Sequence, residues 1–158
     1  IVSRFCTLMS IYIQTEDFDL SEELKRLRDG RQDIGAVVSF LGTVRDIHDD
    51  QSILSMELEH YPGMTELVLG EIVDEARRRW DIVDLTVIHR VGKLKLSDQI
   101  VLVAVASRHR RDAFMACEYL IDMLKARAPF WKKEETASGM RWVKAKSSDQ
   151  DVLDRWKK

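Results

Sequence analysis

The hydrophobic residues of this chain follow a strand-like pattern in some segments and a helix-like pattern in others. Residues 35–44 form an apolar run rich in Val and Phe and bounded by glycines, which predicts a buried strand. In residues 53–60 hydrophobic and polar positions alternate, with Leu54, Met56 and Leu58 on one side, so a half-buried strand is predicted there. The same patterns predict strands over residues 11–14, 35–44, 53–60, 83–91, 99–106, 130–136 and 140–145, the last two forming a hairpin.

Two longer segments repeat their hydrophobic residues at helical spacing. The repeat from Leu67 to Trp80 predicts one helix. Residues 112–126 predict a second, which Pro129 prevents from continuing. The predicted apolar face of this second helix comprises Phe114, Cys117, Ile121 and Leu124.

Other segments carry capping or turn signals. Ser21 is the predicted N-cap of a short helix that runs to about Arg28, with Gly30 just past its end. Residues 46–52 are predicted to be a polar loop, and residues 92–98 a link that contains a turn.

The length of 158 residues fits one domain, because compact domains run to roughly 100–200 residues. We predict a single α+β domain over residues 9–150, with mostly antiparallel strands, two long helices and a C-terminal hairpin. Met9 and Ser10 resemble a natural start, so residues 1–8 are treated as upstream sequence. Residues 151–158 are expected to form a polar peripheral tail.

Composition narrows the class of protein. Hydrophobic residues make up 45% and charged residues 33%, as in ordinary globular proteins. Two cysteines give neither a disulfide framework nor a metal-ligand spacing, so a reduced, cytoplasmic protein is expected. No apolar run approaches the roughly 18 residues that predict a membrane span. A net charge of −2 argues against a general nucleic-acid binder.

Basic residues are concentrated in two places, which suggests a small anionic ligand or an acidic partner. Residues 108–111 lie where an apolar strand gives way to a helix, and the free N–H groups of a helix N-terminus suit a phosphate. Solvated turn residues are the alternative reading. The second place is residues 125–146, where strand alternation puts Lys132 and Glu134 on one face and Lys133 on the other. Clustered cations lower the pKa of a lysine and make it usable as an acid, a base or a nucleophile.

Common catalytic motifs are missing from the sequence: it has no Gly-x-Ser-x-Gly, Cys-x-x-Cys, His-Glu-x-x-His or Walker pattern. Cys117 lies on a predicted apolar helix face, where an inert buried thiol is expected. Any sulfur chemistry would therefore need sulfur from another molecule. His60 and His89 end strands and are expected to be structural, whereas His109 stands among cations.

Five stretches stand in order along the chain: GAVVSFLGTVR at residues 35–45, LEHYPGM at 58–64, VIHRVG at 87–92, SRHR at 107–110 and KARAPFWKKE at 125–134. Any one of them is a weak signal, but the ordered set is specific. Together they resemble the MoaE family, the large subunit of molybdopterin synthase. The resemblance extends from about residue 35 to residue 150.

The resemblance implies an α/β-hammerhead fold and a homodimer. Each protomer would bind one small ubiquitin-like sulfur carrier whose C-terminal Gly-Gly ends in a thiocarboxylate, giving a heterotetramer. The substrate would be cyclic pyranopterin monophosphate, which two sulfur transfers convert to the molybdopterin dithiolene. The expected activity is that of a sulfurtransferase, with no cofactor and no metal.

Matching positions also imply roles for individual residues. Lys125 and Lys132 would be the catalytic lysines, and His109 and Arg110 would hold the anionic part of the substrate. Lys146 stands where an arginine is expected, and a lysine loses the bidentate fork. Thr43 replaces a position that is often basic in relatives. The implied substrate-binding set is Thr43, Val44, Arg45, His109, Arg110, Lys125, Lys132, Lys133, Glu134 and Lys146.

Two other readings compete with this one. A non-catalytic RNA- or nucleotide-binding module would use the basic clusters and bind polyanions in a strongly salt-dependent way. A catalytically dead scaffold is the other, and the intact Lys125 and Lys132 argue against it. Phe130 and Trp131 are candidates to line a groove for an extended donor peptide, with simple core packing as the alternative.

The predicted second helix separates two groups of implied site residues. His109 and Lys125 are sixteen positions apart, which is about 24 Å of helix at 1.5 Å per residue. A phosphorylated pterin is too short to bridge that distance. We therefore expect composite sites in a twofold dimer, with Lys125 and Lys132 from one chain and His109 and Arg110 from the other.

Overall fold

A computed structural model describes residues 11–48, 50–144 and 148–157. Two sheets and four helices make up this part of the chain. The mixed α+β class, the two long helices and the hairpin predicted from the sequence are confirmed. In chain order the elements are β1 (Ile11–Gln14), α1 (Leu20–Arg28), β2 (Ala36–Thr43), β3 (Ile47–His48), β4 (Gln51–His60), α2 (Met64–Arg79), β5 (Asp84–Arg90), β6 (Gly92–Lys95), β7 (Gln99–Ser107), α3 (Arg110–Arg127), β8 (Phe130–Thr136), β9 (Gly139–Val143) and α4 (Ser148–Arg155).

The first sheet has the strand order β1-β5-β7-β2, with β1 parallel to β5 and the other pairs antiparallel. Its strand β7 is buried on both faces because helices cover both. Val101, Val103 and Val105 pack toward α2 and α3, whereas Leu102 and Ala104 belong to the cluster that includes α1. This two-sided burial explains the apolar residues of the strand predicted over residues 99–106.

The second sheet is built on β4, which pairs with β3, β6 and β8, and β9 extends it beyond β8. Val44, Leu58 and Leu94 form its small core. The antiparallel register places Lys132 opposite Leu58 and Phe130 opposite His60. The chain enters this sheet directly from α3, so the end of the helix and the start of β8 are fixed together.

Several predicted boundaries were wrong for reasons that depend on tertiary contacts. Asp19 caps α1 instead of Ser21, because its carboxylate accepts the N–H of Glu22. Residues 46–52, predicted to be a polar loop, contain β3, and residues 92–98, predicted to be a link, contain β6. Both segments are strands because their backbones pair with β4. Two residues predicted to be buried, Leu54 and Phe114, are 54% and 61% exposed.

A register shift in β4 accounts for Leu54. The pairing with β8 skips between Ile53 and Ser55, and Ile53 is buried in place of Leu54. A bulge of this kind exchanges the faces of neighbouring positions, so the simple alternation failed at this point.

The predicted polar tail at residues 151–158 is also corrected, because helix α4 covers much of it. Leu153 and Trp156 pack on the main core. The indole Nε1 of Trp156 donates to Asp122 at 2.8 Å, and its ring meets Tyr119 edge-on with the centroids 5.3 Å apart. Leu153 in α4 and Trp156 just after it are three positions apart, and both face the core.

None of the helices in the described part of the chain is both long enough and apolar enough to cross a membrane.

Gly35 allows a close approach between β2 and the turn that precedes α3. Its N–H donates to the carbonyl of Ser107 at 3.0 Å, and a Cβ added to it would lie 2.2 Å from the carbonyl oxygen of Arg108. We expect Gly35→Ala to lower the free energy of unfolding by about 1–3 kcal/mol, because backbone must move to relieve the overlap. Urea unfolding measures this change.

Gly70, inside α2, provides the matched control, because a Cβ there meets nothing within 4 Å. Gly70→Ala should raise the free energy of unfolding by about 0.5–1 kcal/mol through helix propensity. Equal effects of the two substitutions would contradict the close approach at Gly35.

Candidate functional site

Lys125 and Lys132 come together where α3 gives way to β8. Lys125 lies in the last turn of α3, and Ala128 caps the helix by donating its N–H to Leu124. Phe130 begins the following strand, so only a short link separates the two lysines. Both lysines are near enough to His89 for their charges to lower the pKa of its imidazole. The sequence prediction that pairs these lysines is consistent with this arrangement.

His89 forms a buried, neutral element of this site. Its ring is 5% exposed and lies flat on Phe130, with 3.8 Å between centroids and 12° between planes. Burial lowers the pKa of His89 to about 4, and the charges of Lys132, His60 and Lys125 add to the effect. A backbone hydrogen bond to Arg90 opposes the shift without reversing it. The imidazole is therefore uncharged at neutral pH.

Glu134 is committed to other groups within the second sheet. Its side chain is 2% exposed, and Oε2 accepts two hydrogen bonds from Arg141, at 3.2 and 3.0 Å. Its Oε1 lies 2.7 Å from Nδ1 of His48. Charge-assisted bonds of this kind hold a buried carboxylate in place. Arg141 is a member of this network that the sequence reasoning missed.

Lys133 does not join Lys132, because strand alternation sends the two side chains to opposite faces of β8. Its ammonium lies 5.2 Å from the ring centroid of Trp142, whose side chain is 55% exposed. The alternation predicted from the sequence is thus confirmed. The structure separates Lys133 from the lysine pair within one protomer.

The segment from Thr43 to Arg45 lies beside the strands that carry the lysine site. Val44 is 3% exposed and packs with Leu58, the residue paired with Lys132. The backbone N–H of Val44 donates to the carbonyl of Asp98, and its carbonyl accepts the N–H of Ser97. Thr43 and Arg45 are exposed. Lys146, the remaining residue of the predicted set, lies outside the described residues.

A separate basic turn stands at the opposite end of α3. Ser107 donates its hydroxyl to the carbonyl of Asp81 at 2.6 Å, and the Asp81 carboxylate accepts two bonds from Arg108, at 2.7 and 2.8 Å. Arg108 is thus held by Asp81. His109 occupies the N-cap position, and the exposed Arg110 and Arg111 begin the helix.

One protomer does not bring this basic turn to the lysine site. His109 and Lys125 belong to the two ends of a single uninterrupted helix of 18 residues and its cap. At 1.5 Å per residue, their separation of sixteen positions spans about 24 Å.

The described part of the chain offers no reactive thiol. Its one free cysteine, Cys117, is 3% exposed in the core, and burial raises the pKa of the thiol to about 11. The thiol is protonated at neutral pH and unreactive. The same residues contain no group of three or more His, Cys, Asp or Glu side chains placed to hold a metal ion.

Comparison with known proteins gives consistent matches over most of the chain. A relative from Ralstonia nicotianae, named molybdopterin synthase catalytic subunit, is 61% identical over 147 residues, covering 93% of this chain and 84% of the relative. A solved structure of the molybdopterin biosynthesis MoaE protein from Burkholderia ambifaria superposes with a TM-score of 0.80 at 53% identity, covering 93% of this chain and 97% of that one.

A third match shows the fold alone. In a complex of subunits 1 and 2 of molybdopterin-converting factor from Helicobacter pylori, one chain superposes with a TM-score of 0.72 at 22% identity, covering 87% of this chain and 92% of that one. The family model described as MoaE protein matches residues 13–127, well over half of the sequence. The chain therefore belongs to the MoaE family.

Proposed function

We propose that this chain is the large, catalytic subunit of a molybdopterin synthase and acts as a sulfurtransferase. Sulfur would pass from the thiocarboxylated C-terminus of a small carrier protein to cyclic pyranopterin monophosphate, and two transfers would form the dithiolene. The observation that carries the proposal is the placement of Lys125 in the last turn of α3 and Lys132 on the strand that follows, with both charges lowering the pKa of His89. The relatives named molybdopterin synthase catalytic subunit support it, and no observation favours the nucleotide-binding alternative.

The chemistry suits the residues present. A thiocarboxylate and a cyclic phosphate are both anionic, and two lysines beside a neutral ring provide positive charge that favours their approach. In each transfer a C–S bond forms at a side-chain carbon of the pterin as that carbon loses a C–O bond. Hydrolysis of the resulting thioester then breaks the C–S bond to the carrier, and water supplies the oxygen that leaves an ordinary carboxylate on the carrier. The buried, protonated Cys117 thiol is not a suitable sulfur donor, which agrees with a donor on the carrier protein.

We also propose a twofold dimer with composite sites, each dimer binding two carriers. Lys125 and Lys132 of one chain would face the same substrate as His109 and Arg110 of the other. The uninterrupted helix α3 supports this arrangement, because it separates His109 from Lys125 within one chain. Relatives bear the name of a catalytic subunit, which agrees with a second kind of subunit in the assembly.

Replacing either lysine should abolish most sulfur transfer. We expect Lys125→Ala and Lys132→Ala each to lower kcat by about a hundredfold or more, since each removes a cation or a proton-transfer group from the reacting atoms. The assay combines the pterin precursor with thiocarboxylated carrier and measures molybdopterin. Lys95→Ala, at an exposed position of β6, is the control for the loss of a surface lysine. Normal turnover by both lysine variants would show the catalytic assignment to be wrong.

The basic turn should act mainly in binding. Arg110→Ala should weaken precursor binding by roughly 1.5–3 kcal/mol, the size of a charge-assisted hydrogen bond. Arg111→Ala serves as the matched neighbour and should have a smaller effect. Titration calorimetry with the precursor compares the two variants. Small, equal losses would mean that both arginines are only solvated turn residues.

Subunit mixing tests the composite site. Inactive Lys125→Ala and inactive His109→Ala proteins are combined under conditions that allow protomers to exchange. Some mixed dimers then hold one site with all four residues intact, so partial activity should return. Native mass spectrometry of differently tagged protomers verifies that mixed dimers form. Mixed dimers without activity would rule out the shared site while leaving the sulfurtransferase proposal in place.

A further inference from the structure

His89 is a buried titratable residue that the proposed chemistry leaves without a role. Its Nδ1 lies 2.8 Å from the carbonyl oxygen of Arg90. A carbonyl can only accept, so Nδ1 must carry the ring hydrogen. In a neutral imidazole the other nitrogen, Nε2, is then an acceptor with no hydrogen to give.

The fold directs this ring toward the lysine site. His89 is stacked on Phe130, and Lys132 is two residues further along β8, on the same face of the strand. Lys125 stands at the end of the helix that leads into Phe130. A lysine ammonium has three hydrogens to donate and cannot accept, so it is a suitable donor to the unprotonated Nε2.

We propose that His89 is a positioning residue for the catalytic lysines: its Nε2 accepts an N–H from the ammonium group of Lys132 and fixes the orientation of that group. This inference rests on the proposed sulfurtransferase function. The hydrogen bond to the Arg90 carbonyl keeps the ring hydrogen on Nδ1 and leaves Nε2 as an acceptor. The opposite tautomer would direct an N–H at the lysine, which cannot accept it. The flat stack on Phe130 keeps the ring from turning away.

The charged and titratable groups around the ring favour this role. Lys132, Lys125 and His60 act on His89, and each opposes a positive charge on the ring. A protonated His89 would have no lone pair and would repel both ammonium groups. The ring is therefore neutral and keeps its acceptor above about pH 4.

Three substitutions separate positioning from packing. His89→Phe keeps an aromatic ring for the stack and removes the acceptor, whereas His89→Gln places an amide oxygen near the former Nε2. Thr86→Val, at a buried position of the same strand, controls for the loss of a buried polar group. Wild type and Lys132→Ala enzymes are measured in the same assay. Urea unfolding verifies that each variant is folded.

We expect His89→Phe to lower kcat by about tenfold or more with less than about a threefold change in KM for the precursor. His89→Gln should retain kcat within about threefold of wild type. Similar kcat values for the Phe variant and wild type would overturn the inference. If the Phe variant fails to fold, the Gln variant decides alone, and a folded Gln variant with a tenfold loss overturns it as well.

Chemical labelling of Lys132 gives a readout that packing alone would not change. Trace acetylation with acetic anhydride, followed across pH by mass spectrometry, reports the fraction of uncharged amine. Loss of an acceptor destabilises the ammonium form, so the labelling curve of Lys132 should move to lower pH in His89→Phe and not in Thr86→Val. An unchanged curve overturns the inference. If Lys132→Ala itself is fully active, the proposed function fails in its catalytic assignment, which is a different result.

Acid unfolding tests the neutral state of the ring. Burial keeps the pKa of His89 near 4 in the folded protein, below its ordinary value of 6.5. The unfolded chain therefore takes up the proton first, and stability falls as the pH drops from about 6.5 toward 4. His89→Phe should lose less stability over this interval. An identical pH dependence in the two proteins would contradict a neutral acceptor at this position.

Discussion

The unbroken length of α3 is the constraint on which the arrangement of the candidate site depends. Its 18 residues pack against β7 and α2 through a continuous set of buried side chains, so the helix cannot bend to bring its ends together. The basic turn at one end and the lysine site at the other are therefore held at a fixed separation. Any ligand small enough to be a phosphorylated pterin meets only one of them on a given protomer.

Each end of the helix is fixed by its own contacts. At the start, Ser107 and Arg108 bind Asp81, and Gly35 leaves room for the carbonyl of Arg108. At the other end, the stack of His89 on Phe130 ties the first strand of the hairpin to the first sheet. The positions of both candidate binding regions are therefore fixed relative to the first sheet.

Much of the fold could be predicted from the sequence because its signals are local. The apolar runs that become β2 and β7 are buried between layers, and the period of α2 is visible in the chain itself. In contrast, β6 exists because β4 offers it hydrogen-bonding partners, and the exposure of Leu54 follows from a bulge in the pairing with β8. Neither feature leaves a mark in the local pattern.

The candidate site, too, could be predicted from the sequence only in part. The positions of Lys125 and Lys132 followed from their resemblance to a family and from their placement near a helix end and on a strand. His89 was assigned to a structural role, because a histidine at the end of a strand gives no sign of what it will face. Its partner Phe130 lies 41 residues away in sequence, so only the packed structure brings the ring to the lysines. A clue was available in the sequence, since both residues lie in stretches that carry the family resemblance.

The neutral ring of His89 near Lys125 and Lys132 affects the charge that a substrate would meet. A carboxylate in the place of His89 would form an ion pair with a lysine and reduce the charge that an anionic substrate experiences. Glu134, the carboxylate next to Lys132 on the same face of β8, is instead bound by Arg141. A buried imidazole can accept a hydrogen bond without supplying a negative charge. The lysine pair can thereby be oriented by the protein while its positive charge remains available to the anions that the reaction brings together.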